Sequence, residues 1–217
     1  MSVVLAFGGR AGRRPSRHRQ APHDLFSGLP ASVPEPRAGI WWPAPGRLAA
    51  GPCPGGADGL SAREELASLA AAGVRHLIDL AEAHEHASYH ALLPALSLSL
   101  PRPIAWERHA IPEGGVPGVA QLNHILDRID ALIAVDAMPC VHGQDGRGRT
   151  VLVAACWRVR HGESPRDALV QAAGAWRAAQ TRRQDGEGPE TLEQRRFVHD
   201  WARHDRLRSP RGAARCG

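Results

Sequence analysis

Residues 138–150, Met-Pro-Cys-Val-His-Gly-Gln-Asp-Gly-Arg-Gly-Arg-Thr, constrain the fold more than any other stretch of the chain. A short apolar strand, Met138 to Val141, runs into a glycine-rich turn, and the turn opens a helix whose first residues are Arg149 and Thr150. Such a strand–turn–helix belongs at the carboxyl end of a strand in an α/β sheet. Backbone N–H groups in the turn point inward and the helix adds its positive end, so the loop is built to hold an anion. The expected phosphate-binding set is Gly143, Gln144, Asp145, Gly146, Arg147, Gly148 and Arg149. Arg149 brings a planar fork of donors that matches two phosphate oxygens.

The flanking segments alternate as an α/β protein requires. Order is expected from about Ile40, with a short strand around Arg47–Ala50 between Pro/Gly-rich turns. Ser61, with Glu64 three residues on, caps a predicted helix that runs through Ala72 and stops at Gly73. Val74–Leu80 is short and apolar enough to be a buried strand. Residues 81–95 read as partly helical, and Trp106–Ile111 as another strand that ends in the loop 111–117. From Gly118 to Val135, apolar residues at Val119, Leu122, Ile125, Leu126, Ile129, Leu132 and Ile133 recur in steps of three and four, the pattern of an amphipathic helix. Three more helices are predicted after the loop. Residues 149–160 are apolar enough to be buried, Pro165–Ala179 follows Ser164 as cap, and Thr191–His204 turns Leu192, Phe197, Val198 and Trp201 inward. The expected fold class is α/β, three-layer-like, with a central mostly parallel sheet flanked by helices.

Charge divides the chain into regions. The formal charge is +5 and the pI about 9.8, with no lysine at all. Residues 39–202, however, hold sixteen Arg against nineteen acids. The basicity sits in residues 1–38 and 203–217, both read as disordered Arg-rich tails. The domain between them, 39–202, is therefore not expected to bind nucleic acid. Cys53, Cys140, Cys156 and Cys216 form no Cys-x-x-Cys pair, which suits reduced thiols and a cytoplasmic protein. No apolar run reaches the ~18 residues needed to span a bilayer, so no membrane partner is expected. His84, His86 and His90 could place two imidazoles on one helical face. A wet, histidine-rich segment is the preferred reading, and neither a metal nor another cofactor is expected.

The loop resembles the signature of the cysteine-dependent protein tyrosine and dual-specificity phosphatases, His-Cys, five residues, Arg, then Ser or Thr. His142, Gly146, Gly148, Arg149 and Thr150 fall in place. The resemblance extends over roughly residues 40–202. It takes in Pro45-Gly46-Arg47-Leu48-Ala49-Ala50-Gly51, Ile78-Asp79-Leu80, the loop 111–117, and Pro189-Glu190-Thr191 with Gln194.

The resemblance implies a phosphatase of bacterial dual-specificity type. In active relatives a thiolate attacks phosphorus, an acid on the mobile loop protonates the leaving oxygen, and water then hydrolyses the phosphocysteine. Carried over, Arg149 clamps phosphate and Thr150 stabilises the leaving sulfur. His142 orients the loop or is merely packed, and Glu113 stands at the general-acid position where relatives have Asp. Gln194 is read as core support. Gly143 stands where the cysteine belongs, and Val151 replaces the usual Gly after Thr. Cys140, three residues earlier in the strand, is expected to point away from the cradle.

The expected function is thus a phosphatase-like domain that binds phosphate, or a phosphorylated protein or small molecule, with impaired turnover. Two alternatives stay open: an active phosphomonoester hydrolase in which Gly143 is a sequence error or an engineered trap, and a scaffold that acts through its basic tails.

Overall fold

Five short strands, three of them wholly buried, form the centre of the protein. The computed structural model describes residues 39–55, 62–85, 89–180 and 188–205. Its strands are β1 (Trp41–Ala44), β2 (Leu48–Pro52), β3 (His76–Asp79), β4 (Ala105–Arg108) and β5 (Pro139–Gly143). They lie in the order β1-β2-β5-β3-β4. β1 pairs antiparallel with β2, while β2–β5, β5–β3 and β3–β4 are all parallel. The sheet is mixed, mostly parallel and flanked by helices, and β5 is its middle strand.

Each strand sends alternate side chains to opposite layers, and β5 shows how the two layers are filled. Val141 enters a core built with α3 (Val119–Ala134), α4 (Gly148–Arg160), α5 (Pro165–Ala179) and α6 (Leu192–Trp201). Cys140 enters a second core with Leu66 and Leu69 of α1 (Ala62–Ala71), Leu77 and Tyr89. The amphipathic helix α3 buries Leu122, Ile125, Leu126, Ile129 and Leu132, as its spacing requires. Behind the glycine loop, α4 is buried almost all round, from Thr150 to Trp157. Burial of this extent, at about 25 cal/mol per Å² of apolar surface, anchors the loop from behind.

Several expectations needed correction. Trp41–Ala44 forms an edge strand that the Pro/Gly punctuation hid, since an edge position tolerates Pro43. β4 covers Ala105–Arg108 and no more, with Trp106 39% exposed at the opposite edge. Residues 81–85 are turns, followed by a 3-10 turn at His90–Leu92 and the one-turn helix α2 (Leu93–Ser97). Val119 and Leu192 sit in the first turns of their helices and are exposed rather than in the core.

The basic tail was expected from residue 203, yet Asp205 is buried, with its carboxylate 3.4 Å from Nε of Arg160. Residues 1–38 and 206–217, where the tails were assigned, lie outside the described residues. Among the described residues no helix is long and apolar enough to cross a membrane.

Candidate functional site

The parallel arrangement places the carboxyl ends of β2, β3 and β5 side by side, and the loop 143–148 emerges between its neighbours. Cys53 N, just past β2, donates to Gln144 O at 3.1 Å, and Leu80 N, just past β3, donates to His142 O at 2.8 Å. Gly146 adopts φ 69°. A Cβ there would fall 2.5 to 2.7 Å from the backbone of Gly51 and Pro52. Both facts demand glycine. The loop can approach β2 this closely only without a side chain.

Gly143, Gln144, Asp145, Gly146, Arg147, Gly148, Arg149 and Thr150 line one small cleft of about 20 Å³, together with Glu113 and Glu190. All the residues assigned to phosphate contact are thus gathered in one place, with Glu113 across the cleft. Arg147, at the N-cap of α4, makes no side-chain capping bond. The first amides of α4 therefore keep the unpaired character that favours an anion.

Arg149 is the most constrained side chain of the cleft. Its Nη1 donates to Oε1 of Glu85 at 2.6 Å and to the carbonyl of Ile111 at 2.8 Å, and its Nη2 donates to Oε2 of Glu85 at 2.5 Å. A guanidinium has five N–H bonds. Those contacts take both hydrogens of Nη1 and one of Nη2, leaving the Nε–Nη2 edge. That edge is turned to Gly143, whose Cβ position would lie 3.6 Å from Nε and 3.9 Å from Nη2. The fork anticipated for phosphate is therefore half committed to Glu85, and only its lateral edge faces the cleft. Burial by itself would lower the pKa of Arg149, but the hydrogen bond and charge of Glu85 outweigh it and raise it. The same hydrogen bond holds the Glu85 carboxyl below its ordinary value.

Gly143 closes the strand and is buried. A Cβ built on it would stand 3.3 Å from Oγ1 of Thr150, a tight but open position. Thr150 is itself fully buried, and its hydroxyl has no hydrogen-bond partner among the described residues. Cys140 is present three residues earlier. Its side chain is 1% exposed and packs into the layer of α1, on the face of β5 opposite to Gly143. His142 lies on that same far face, with its Nε2 2.6 Å from the Tyr89 hydroxyl. Burial pushes the pKa of that phenol well up, so it stays neutral.

The loop 111–117 is held by the start of α6. Thr191 accepts from Gln194 N, and the Gln194 carbonyl oxygen accepts in return from Thr191 N. The two side chains then donate onward, Thr191 Oγ1 to Gly114 O at 3.1 Å and Gln194 Nε2 to Gly115 O at 2.9 Å. Gln194 is thus a fully buried brace. Val151, expected to disturb packing behind the loop, is accommodated by another glycine: its Cγ2 lies 3.0 Å from where a Cβ of Gly188 would be.

Two residues of the site had no site role in the sequence reading, Glu85 and Glu190, the latter quoted only for the resemblance. Glu85 lies in a histidine-rich turn, and only the adjacency of β3 and β5 brings it to Arg149. Glu190 reaches the cleft because the turn before α6 folds back over the loop, where its Oε1 lies 3.4 Å from Nη2 of Arg147. The cleft thus carries Glu113, Asp145 and Glu190 against Arg147 and Arg149. The groups there that suit an anion are amides and one arginine edge, without an excess of positive side chains.

The candidate metal histidines do not converge in the described residues. His90 stacks on Trp106 with ring centroids 3.3 Å apart, and His86 lies outside the described residues. No group of three potential ligands is found among the described residues.

Fold and loop together define a chain of the tyrosine and dual-specificity phosphatase class. Residues 55–163 match the profile of Tc-R-P, described as a polymorphic toxin system DSP-PTPase phosphatase, and the chain belongs to that family. Its fold is similar to that of Tk-PTP in the active form, at 22% identity and a TM-score of 0.58, over 72% of this chain and 92% of that one. Kinase associated phosphatase, in a form with its catalytic-site cysteine changed to serine, gives 20% identity and a TM-score of 0.57 over 71% and 84% of the two chains. The human tyrosine phosphatase-like serine/threonine/tyrosine-interacting protein gives 15% and 0.56 over 76% and 96%. These identities establish the fold alone. No curated protein matches the chain by sequence.

Proposed function

We propose that this phosphatase-family domain binds the phosphate group of a phosphorylated ligand and turns it over poorly or not at all. One observation carries the reading. The position facing the free edge of Arg149 and the hydroxyl of Thr150 is Gly143, which has no atom that could bond to phosphorus. Cys140 packs on the other face of the strand. Loss of a nucleophile costs on the order of 10⁴ to 10⁶ in rate while binding contributions persist. Gly143 to Arg149 would hold the phosphate, Arg149 through its Nε–Nη2 edge, and Thr150 would offer its unpartnered hydroxyl. Glu113, at the general-acid position, would face the leaving oxygen. The buried cysteines 53, 140 and 156, none of them in a disulfide, suit a cytoplasmic setting.

A paired assay tests this. The protein and its Gly143→Cys variant are given 4-nitrophenyl phosphate, and inorganic phosphate is titrated against thermal stability. The expected result is stabilisation of both by phosphate, loss of that stabilisation in Arg149→Ala, and turnover by the cysteine variant alone. Turnover by the unmodified chain would replace this reading with that of an active phosphomonoester hydrolase. Absence of phosphate stabilisation would favour the scaffold.

A further inference from the structure

Beyond the cleft, α5 and α6 diverge around a second cavity of about 340 Å³. From α5 it is lined by Arg166, Leu169, Val170, Ala173 and Arg177, and from α6 by Arg195 and His199. The spacing explains the surface: 166, 170, 173 and 177 recur at helical intervals along one stripe, and 195 and 199 are one turn apart. The floor is apolar and Val170 is 63% exposed on it. The rim is cationic. Arg166 and Arg177 are exposed and make no ion pair among the described residues, and no carboxylate among the described residues lines the cavity. Arg166 and Arg177 beside an apolar floor leave a surface that water serves poorly at the floor and that an acidic partner would complement.

The residues that line this groove and those that line the candidate site meet in the chain at 189 and 190. Gly188 and Pro189 form the head of the groove, and the next residue, Glu190, lines the phosphate cleft.

We infer that the α5–α6 groove docks an acidic segment of a phosphorylated protein, with apolar side chains on Leu169, Val170 and Ala173 and carboxylates on Arg166 and Arg177. The inference rests on the proposed phosphate binding and specifies its ligand as a protein rather than a small phosphate. Nucleic acid is the disfavoured occupant, since the lining holds no Phe, Tyr or Trp and His199 is its single ring, too little for a platform on which successive bases stack.

The test uses the full chain and fluorescent phosphotyrosine peptides whose flanks are either Asp, Glu and Leu or Ser and Gly. The acidic peptide is expected to bind at least about tenfold more tightly, and the advantage to shrink with added salt. The double variant Arg166→Glu/Arg177→Glu, and the milder Arg166→Gln/Arg177→Gln, should abolish that advantage while leaving stabilisation by inorganic phosphate unchanged. Equal binding of both peptides by the parent, or an advantage that survives in the variants, overturns the inference. So does a single-stranded oligonucleotide that binds at this groove while the acidic peptide does not. If inorganic phosphate fails to bind, the proposed function falls separately. The groove is then judged by the unphosphorylated acidic peptide, whose binding the arginine variants must still abolish.

Discussion

Single residues carry the chemistry of this protein, and Arg149 shows how. Its side chain is 6% exposed and its partner Glu85 is 7% exposed, so the pair is nearly out of water. Removing one member of a buried pair leaves the other unmatched, at a cost of about 3 kcal/mol. Glu85→Ala is therefore expected to lower the unfolding midpoint in urea by a corresponding amount and to weaken phosphate-dependent stabilisation. Weakening should follow because the Nε–Nη2 edge is aimed only while Glu85 holds the opposite edge. Stronger phosphate binding in that variant would show that Glu85 competes with the ligand instead of orienting Arg149. Gly143 is the complementary case. Its backbone has ordinary dihedrals, and a Cβ would meet Thr150 Oγ1 at 3.3 Å. Cysteine should fit there with a shift of a few tenths of an ångström, which makes gain of turnover by Gly143→Cys a fair test of the scaffold.

Elements set the distances between these residues. The capping box at the start of α6 does more than end a helix, because Thr191 and Gln194 also grip the carbonyls of Gly114 and Gly115. Thr191→Ala should cost about 1 kcal/mol as a lost cap, measurable by chemical denaturation. It should also free the loop that carries Glu113. In a Gly143→Cys background this second effect would appear as a lower kcat on 4-nitrophenyl phosphate. A stability loss with unchanged kcat would show that the loop is held by other contacts. Thr-x-x-Gln before an apolar run is a start signal that the sequence reading passed over in taking Gln194 as core support. The grip of this cap on the loop was not legible, because residues 114 and 191 meet only in the folded chain.

For the molecule as a whole, acid is the exposed flank. His76 is buried on β3, beside the edge strand β4, and burial lowers its pKa from 6.5 despite Glu107 nearby, with Arg128 and His109 also lowering it. The unfolded chain then binds the proton more readily, so stability rises with pH. The contribution of His76 is complete above about pH 6.5 and declines as pH falls below it. Glu85 acts in the same direction lower down. Its support is full above its unfolded value near 4.5 and is lost as pH falls through its depressed folded value. The melting temperature should therefore decline between pH 7.5 and 5.5, and His76→Gln should flatten that decline. A flat profile in the parent would show that His76 is not protected from protonation.

Periodicity and local chemistry were sufficient for much of this protein. Three features that depend on near neighbours could be read directly: the 3–4 spacing of α3, the cap at Ser164 and the strand–glycine–helix run at 139–150. From these the sheet class, the cleft lining from Gly143 to Thr150 and the resemblance all followed. Contacts between distant segments were decided only by tertiary structure, because the sequence carries no record of which loops share an edge of the sheet. Parallel pairing of β5 with both β2 and β3 forces Gly146 against Gly51 and brings Glu85 to Arg149. Packing of α6 places Glu190 over the loop and leaves the basic groove between α5 and α6. The missing side chain at Gly143 was plain in the sequence. That Thr150 and half of an arginine are turned toward it is a consequence of the fold.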